Sequence, residues 1–353
     1  MRKQEIDTPA LLLDLDAVEE NIATMARYFA ARPQKLRPHF KTPKTPEIAR
    51  RQLAAGAIGI TAAKVGEAEV LARAGLGPIL IANQIVGRTK IDRMFEAARA
   101  VEIIATVESE FNIRELEEGA ARAGASIGAI VEVDTGMHRC GTAQPAETVA
   151  LARRIARGPL RWRGVMGYEG HAVLIADSDT REGMARAALT ILSAHVDALR
   201  AAGLAPEIVS AGGTGTYDIA GDWPDVTEVQ AGSYVFMDGA YRFVRPDLGR
   251  SALTLLATVV ARHGQWAIID AGMKSLTNEF GAPRGKDLPV KVARLSEEHG
   301  HVEAGDFEIA PGTKIEIVPS HGDTTINLHS EYYVCRGDEV VAIWLIEAAR
   351  AYR

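Results

Sequence analysis

The sequence predicts a (β/α)8 barrel of the TIM type followed by a separate all-β domain. Three observations carry this expectation. Between residues 16 and 245, short apolar strands alternate with amphipathic helices for about eight β units. No G-x-G-x-x-G follows the early strands, as a dinucleotide-binding open sheet would require. After residue 245 the long helices cease, and strand-like runs succeed one another across Gly-, Pro- and Asp-rich connections. The chain has 353 residues, which at about 100–200 residues per domain accommodates two units. The expected division is a barrel over residues 16–245 and a β domain built from residues 1–15 and 246–353.

Each element has a local reason. Val18, Ile22, Met25 and Phe29 recur at helical spacing, and Asp16 with Glu19 reads as a capping-box start, which predicts a helix over 16–31. Leu36–Phe40 reads as the first barrel strand, and Thr45-Pro46 opens the next helix. The alternation then gives strands at 57–61, 79–82, 102–107, 127–134, 161–168, 207–210 and 227–230. The helices between them fall at 67–74, 89–100, 108–122, 146–156 and 180–202. In the second part, 253–262, 266–270, 290–295, 314–318, 332–335 and 339–344 read as strands, and Pro9–Leu15 is a further candidate for that domain.

Composition narrows the function. The net charge is −6, against the basic surface that phosphate-driven nucleic-acid binding needs. The N-terminus lacks an apolar signal-peptide core, and the longest apolar run, Ala252–Ala261, is far short of a bilayer span. Two cysteines are too few for a disulfide scaffold. The expectation is a cytoplasmic enzyme that binds neither nucleic acid nor membrane.

A TIM-type barrel carries its active site at the carboxyl ends of its strands, so the residues after each predicted strand are the candidates. After the first comes Arg37-Pro38-His39-Phe40-Lys41, and Lys41 there suits a carbonyl cofactor held as a Schiff base; the alternative is a surface lysine. Lys41 ends the apolar run directly, whereas Lys44 follows Pro43 at the start of the helix, so Lys41 is preferred. After the fifth, Gly136 and Gly141 frame a tight loop that aims Arg139 at an anionic oxygen, or leaves it paired at the rim. After the sixth come Tyr168, able to stack on a flat ring, and His171, suited to proton transfer. After the seventh and eighth come Gly213-Thr214 and Gly232-Ser233, small residues that leave N–H groups free for an anion. A strand-end lysine with two phosphate-type loops implies pyridoxal 5'-phosphate. In the β domain, His321 and Asp323 stand at i and i+2, one face of a strand, and offer an N/O pair suited to Mn, Mg, Co or Zn. The alternative there is a Gly-Asp turn beside a histidine. The cluster Glu297–His301 is either a solvated loop or part of the mouth of a site.

These segments together are familiar. Asp7–Asp14, Arg37–Thr42, Val133–Arg139 and Pro319–Asp323 resemble the fold-type III pyridoxal-phosphate enzymes of alanine-racemase-like fold, and among them the D-threonine aldolase and D-serine dehydratase family. The resemblance implies that Lys41 holds the cofactor, Arg139 lies near its ring oxygen and Tyr168 near its ring. It implies that Gly213, Thr214, Gly232 and Ser233 take its phosphate, and that His321 and Asp323 bind a divalent metal, with Mn, Mg or Co expected ahead of Zn. The dehydratase branch typically has Cys at the second metal position; Asp323 favours the aldolase branch. Pro43 stands where many relatives carry His. The resemblance therefore implies a homodimeric aldolase that cleaves D-3-hydroxy-α-amino acids to glycine and an aldehyde. His171 or metal-bound hydroxide is the candidate base. The alternatives are a D-serine or D-3-hydroxyaspartate dehydratase, an amino-acid racemase, and a non-catalytic pyridoxal-phosphate-binding protein, the last disfavoured by the β domain.

Overall fold

The apolar runs that alternate with helices become eight parallel strands in a computed structural model that describes all 353 residues. They are Lys35–Leu36, Ile60–Ala62, Ile79–Gln84, Ile103–Val107, Gly128–Val133, Arg161–Gly167, Ile208–Ala211 and Glu228–Val229. Consecutive strands pair in parallel from the second to the eighth, and the eighth pairs with the first. A parallel bridge between His39 and Thr61 joins the first strand to the second and closes the barrel. The predicted first strand is cut short at Leu36 because Pro38 has no N–H for the ladder. Pairing resumes beyond it, where Phe40 N donates to Thr61 O at 2.7 Å.

The unit holding this barrel comprises Met25–Lys41, Pro46–Gly232 and Ala351–Arg353. Its inward side chains include Leu80, Ile104, Ile130, Met166 and Ile208, a contiguous buried layer contributed by consecutive strands. Such a layer makes the barrel interior a packed core, so chemistry belongs at its ends. The returning helices have conventional starts: the Ser109 hydroxyl accepts from Asn112 N, and Asp177 accepts from Thr180 N at 2.9 Å. Arg37 and Glu228 form a buried ion pair at the amino-terminal end of the strands.

The second unit comprises Met1–Thr24, Thr42–Thr45 and Ser233–Arg350. Its nine strands run in the spatial order Trp266–Ile269, Gly300–Glu303, Lys291–Leu295, Arg284–Gly285, Lys314–Val318, Leu253–His263, Ala10–Asp14, Glu331–Arg336 and Glu339–Leu345. Trp266–Ile269 also pairs with Leu253–His263, so the first six strands close on themselves. Every pairing is antiparallel except that of Ala10–Asp14 with Glu331–Arg336. Ile6, Ala10, Leu12, Leu256 and Cys335 form one of its core clusters.

Several local expectations change. The first long helix spans Leu15–Ala30, and its cap is Asp14, whose Oδ1 accepts from Ala17 N at 3.0 Å. Asp16 and Glu19 instead take the guanidinium of Arg336. Thr45 Oγ1 is buried without a hydrogen-bond partner and does not cap the helix Pro46–Ala54. The cluster Glu297–His301 runs into the strand Gly300–Glu303, where alternation leaves Gly300 and Val302 buried and His301 and Glu303 half-buried. Its charges mask a strand because they are depleted in strands generally. No helix is long and apolar enough to cross a membrane.

Candidate active site

The loop after the fifth barrel strand is organised around Asp134. Its Oδ1 accepts from Gly136 N at 3.0 Å and His138 N at 2.9 Å, while Oδ2 lies 3.0 Å from His138 Nδ1. Burial pushes the Asp134 carboxyl up, but those N–H groups more than offset it and hold it below the ordinary range. Gly141 (φ +111) turns the chain back where a Cβ would collide with the backbone N of Asp134. Arg139 projects from this loop. Its Nη2 lies 3.5 Å from Glu132 Oε1, and its guanidinium carbon stands 5.8 Å from the centre of the Tyr168 ring. Glu132 is buried on the fifth strand and also accepts from Gln84. Burial raises its pKa, and Gln84 and Arg139 pull it back.

Tyr168 in turn meets the loop after the seventh strand: a Cβ on Gly213 would lie 3.2 Å from its ring. A Cβ on Gly215 would collide with the Val173 carbonyl oxygen, so the backbone there is close-packed with no room for a side chain. Beneath it lies Glu169, fully buried, with Oε1 accepting from the Thr216 hydroxyl at 2.6 Å and Oε2 from Gly212 N at 3.3 Å. Burial pushes the Glu169 carboxyl up despite these donors. The His171 ring sits near Gly136, whose added Cβ would lie 3.8 Å from its Cε1, and His171 Nδ1 is buried with no hydrogen-bond partner. Arg139, Tyr168, His171 and Gly213 thus gather at the carboxyl ends of the fifth to seventh strands.

Lys41 follows the closing bridge at His39, whose N–H donates to Ala231 O at 3.3 Å. That bond sets the lysine's loop beside the loop after the eighth strand, which contains Gly232. Lys41 is exposed. Lys44, by contrast, is buried with its ammonium 3.5 Å from Ala348 O. Ser233 is buried, and its hydroxyl lies 3.4 Å from that of Thr42. The barrel residues suit a phosphorylated ring aldehyde. A solvent-exposed lysine follows strand one, a glycine-rich loop lies against the tyrosine ring, and a guanidinium stands near the same ring.

In the β-domain unit, His321 and Asp323 are not on a strand. His321 is the extended residue (φ −136, ψ 126) preceding the short helix Gly322–Ile326, and Asp323 lies in its first turn. The side chains still converge: His321 Nε2 and Asp323 Oδ1 are 4.0 Å apart. Two donors sharing one cation at about 2.1 Å each can stand no more than about 4.2 Å apart, so the pair fits a single divalent ion. No third His, Cys, Asp or Glu joins them in metal-binding geometry.

Three supports hold this turn. Asp238, fully buried, accepts from Gly322 N at 2.7 Å and from Tyr241 N at 3.1 Å, and burial pushes its carboxyl up to about 6. The Thr325 hydroxyl donates to His321 O at 3.0 Å. Glu279 Oε2 lies 2.9 Å from His321 Nδ1.

Sequence reasoning missed Glu132, Glu169, Asp238 and Glu279. For Glu132 a signal existed, a charge inside the apolar run Ala129–Val133. For Glu169 it was a charge between the two site candidates Tyr168 and His171.

A closed parallel barrel with a lysine after its first strand, together with a six-stranded β barrel, defines the fold-type III, alanine-racemase-like class. The comparisons agree. The model of the alanine racemase N-terminal domain matches residues 13–239, and that of a putative serine dehydratase domain matches residues 252–335. The chain belongs to this alanine-racemase-like family, with a serine-dehydratase-type second domain. A D-threonine aldolase of an Arthrobacter species is 37% identical over 97% of this chain and 93% of the relative. A 3-hydroxy-D-aspartate aldolase of Paracoccus denitrificans is 34% identical over 99% of this chain and 93% of the relative. The crystal structure of a D-threonine aldolase from Filomicrobium marinum superposes with a TM-score of 0.97 at 38% identity, covering 100% of this chain and 98% of that one.

Proposed function

We propose that this protein is a pyridoxal-phosphate-dependent carbon–carbon lyase that cleaves D-3-hydroxy-α-amino acids to glycine and an aldehyde, aided by a divalent cation. The observation that carries the choice is the donor pair His321 Nε2 and Asp323 Oδ1, 4.0 Å apart. An imidazole and a carboxylate suit Mn, Mg or Co better than the thiolate-containing set of the dehydratase reading. The aldolases named above support the same reaction class.

Bound pyridoxal phosphate supplies an electron sink for the electrons of the broken bond, and a bound cation supplies Lewis acidity toward the substrate hydroxyl. The residues supply the rest. Lys41 attaches the cofactor. Gly213, Thr214, Gly232 and Ser233 would hold its phosphate. Arg139, paired with Glu132, would offer its guanidinium to the cofactor's ring oxygen, and Tyr168 would pack against the ring. His171, with Nδ1 free of partners, takes the hydroxyl proton. The enzyme acts as a cytoplasmic homodimer in this reading, and the two free cysteines fit a reducing compartment.

The test incubates cofactor- and Mn-loaded protein with D-threonine, D-phenylserine and D-3-hydroxyaspartate. Glycine with the matching aldehyde is the expected product. Ammonia with a keto acid would establish a dehydratase, and no turnover of any of the three would overturn the reading. Light scattering on the eluting protein tests the dimer.

A further inference from the structure

The segment Thr277–Phe280 lies against the His321–Asp323 turn and has no part in the reaction proposed above. Ser320 Oγ donates to Glu279 O at 2.6 Å and to Thr277 O at 3.3 Å, while Thr277 N donates to Thr325 Oγ1 at 3.2 Å. The Phe280 ring packs on the imidazole of His321, centroids 4.9 Å apart and planes at 59°. Between these anchors the Glu279 carboxylate takes His321 Nδ1 at 2.9 Å. Thr324 gives it a second hydrogen bond.

With Nδ1 donating to this carboxylate oxygen, the lone pair of the imidazole is left on Nε2. Nε2 is the nitrogen facing Asp323. We propose that Glu279 is a positioning residue for cation binding: it fixes the His321 tautomer, locks the ring's rotation with Phe280 and makes Nε2 a stronger donor. A carboxylate behind a metal-binding imidazole does this in metalloproteins generally. The inference rests on the reading that His321 and Asp323 hold a divalent cation. Glu279 itself is largely solvent-facing, with a side chain 43% exposed against 16% for His321, so replacing it leaves the core intact.

The test is Mn(II) titration of the cofactor-loaded protein followed by electron paramagnetic resonance of free Mn, without substrate or turnover. Wild type, Glu279→Ala, Glu279→Gln and Asp323→Ala are compared, with thermal melts in the absence of Mn. Glu279→Ala is expected to weaken Mn binding about 10- to 100-fold at an unchanged melt. Glu279→Gln, whose carbonyl still accepts the Nδ1 proton, is expected to recover part of that loss. Equal Mn affinity in Glu279→Ala and wild type overturns the proposal, as does failure of Gln to recover any of it. Complete loss of binding in Glu279→Ala, matching Asp323→Ala, overturns it in another way, by making Glu279 a ligand itself. If wild type binds no Mn, it is the underlying cation reading that fails.

Discussion

The guanidinium of Arg37 clasps the carboxylate of Glu228 through Nη2 at 2.7 Å and Nε at 2.9 Å, with the two side chains only 4% and 2% exposed. The pair joins the first and eighth strands, and Arg37 Nη1 reaches on to Pro78 O at 3.3 Å. Removing one partner strands a charge in the interior. Glu228→Ala is expected to lower stability by about 3–5 kcal/mol, while Arg37→Met with Glu228→Leu recovers most of that loss. Urea denaturation of the three proteins decides it; a double variant as unstable as the single one would show that the pair is essential to closure.

The backbone packing of the loop after the seventh strand gives a second prediction. Gly215→Ala drives a methyl into Val173 O, and the loop has to move to accept it. Overpacking of this kind costs about 1–3 kcal/mol. If this loop cups the phosphate, its displacement weakens cofactor binding by at least about tenfold, or about 1.4 kcal/mol. Dialysis against graded pyridoxal phosphate measures this. Gly183, on the long helix with open space around its Cβ position, is the control, since Gly183→Ala meets nothing.

The two lysines of the first loop make separable predictions. Borohydride reduction of the loaded protein followed by peptide mass spectrometry is expected to find the cofactor on Lys41 and not on Lys44. Lys41→Ala loses the cofactor's visible absorbance band. Lys44→Ala keeps the band, because its ammonium is buried toward Ala348 O. A label on Lys44 would reverse the assignment.

What the sequence revealed, and what it concealed, follows from interaction range. The barrel was legible because each strand and helix carries its own periodicity, and the candidates after strands five to seven were legible because the fold class says where sites lie. His321 and Asp323 were singled out by residue type at short spacing, and they do converge, but not on the strand expected. An i, i+2 pair converges on a strand face, and here it also converges where an extended residue meets the first turn of a helix. Partners remote in sequence left no trace. Glu279 lies 42 positions from His321, and Glu228 lies 191 from Arg37. Nothing local marks either pair, because tertiary packing alone brings them together.

The last prediction concerns pH. Glu316 lies inside the β-domain unit, with Lys3 Nζ at 2.9 Å, Lys286 Nζ at 3.0 Å and the Thr254 hydroxyl at 2.8 Å. Burial pushes its carboxyl up, but the two ammonium groups, Lys3 foremost, more than offset that and leave it below the ordinary value. A carboxyl depressed in the folded state stabilises the fold fully above its unfolded pKa, and that stabilisation is lost as pH falls through the folded value. Glu316→Gln is therefore expected to cost about 3 kcal/mol at neutral pH, where Lys3 is left buried without its partner charge. The gap between variant and wild type then narrows as the pH drops below the ordinary carboxylate range, since wild type loses the same charge by protonation. Denaturation midpoints measured across that range check the sign. A gap that stays constant into acid would mean that the charge of Glu316 contributes nothing and that only its shape matters.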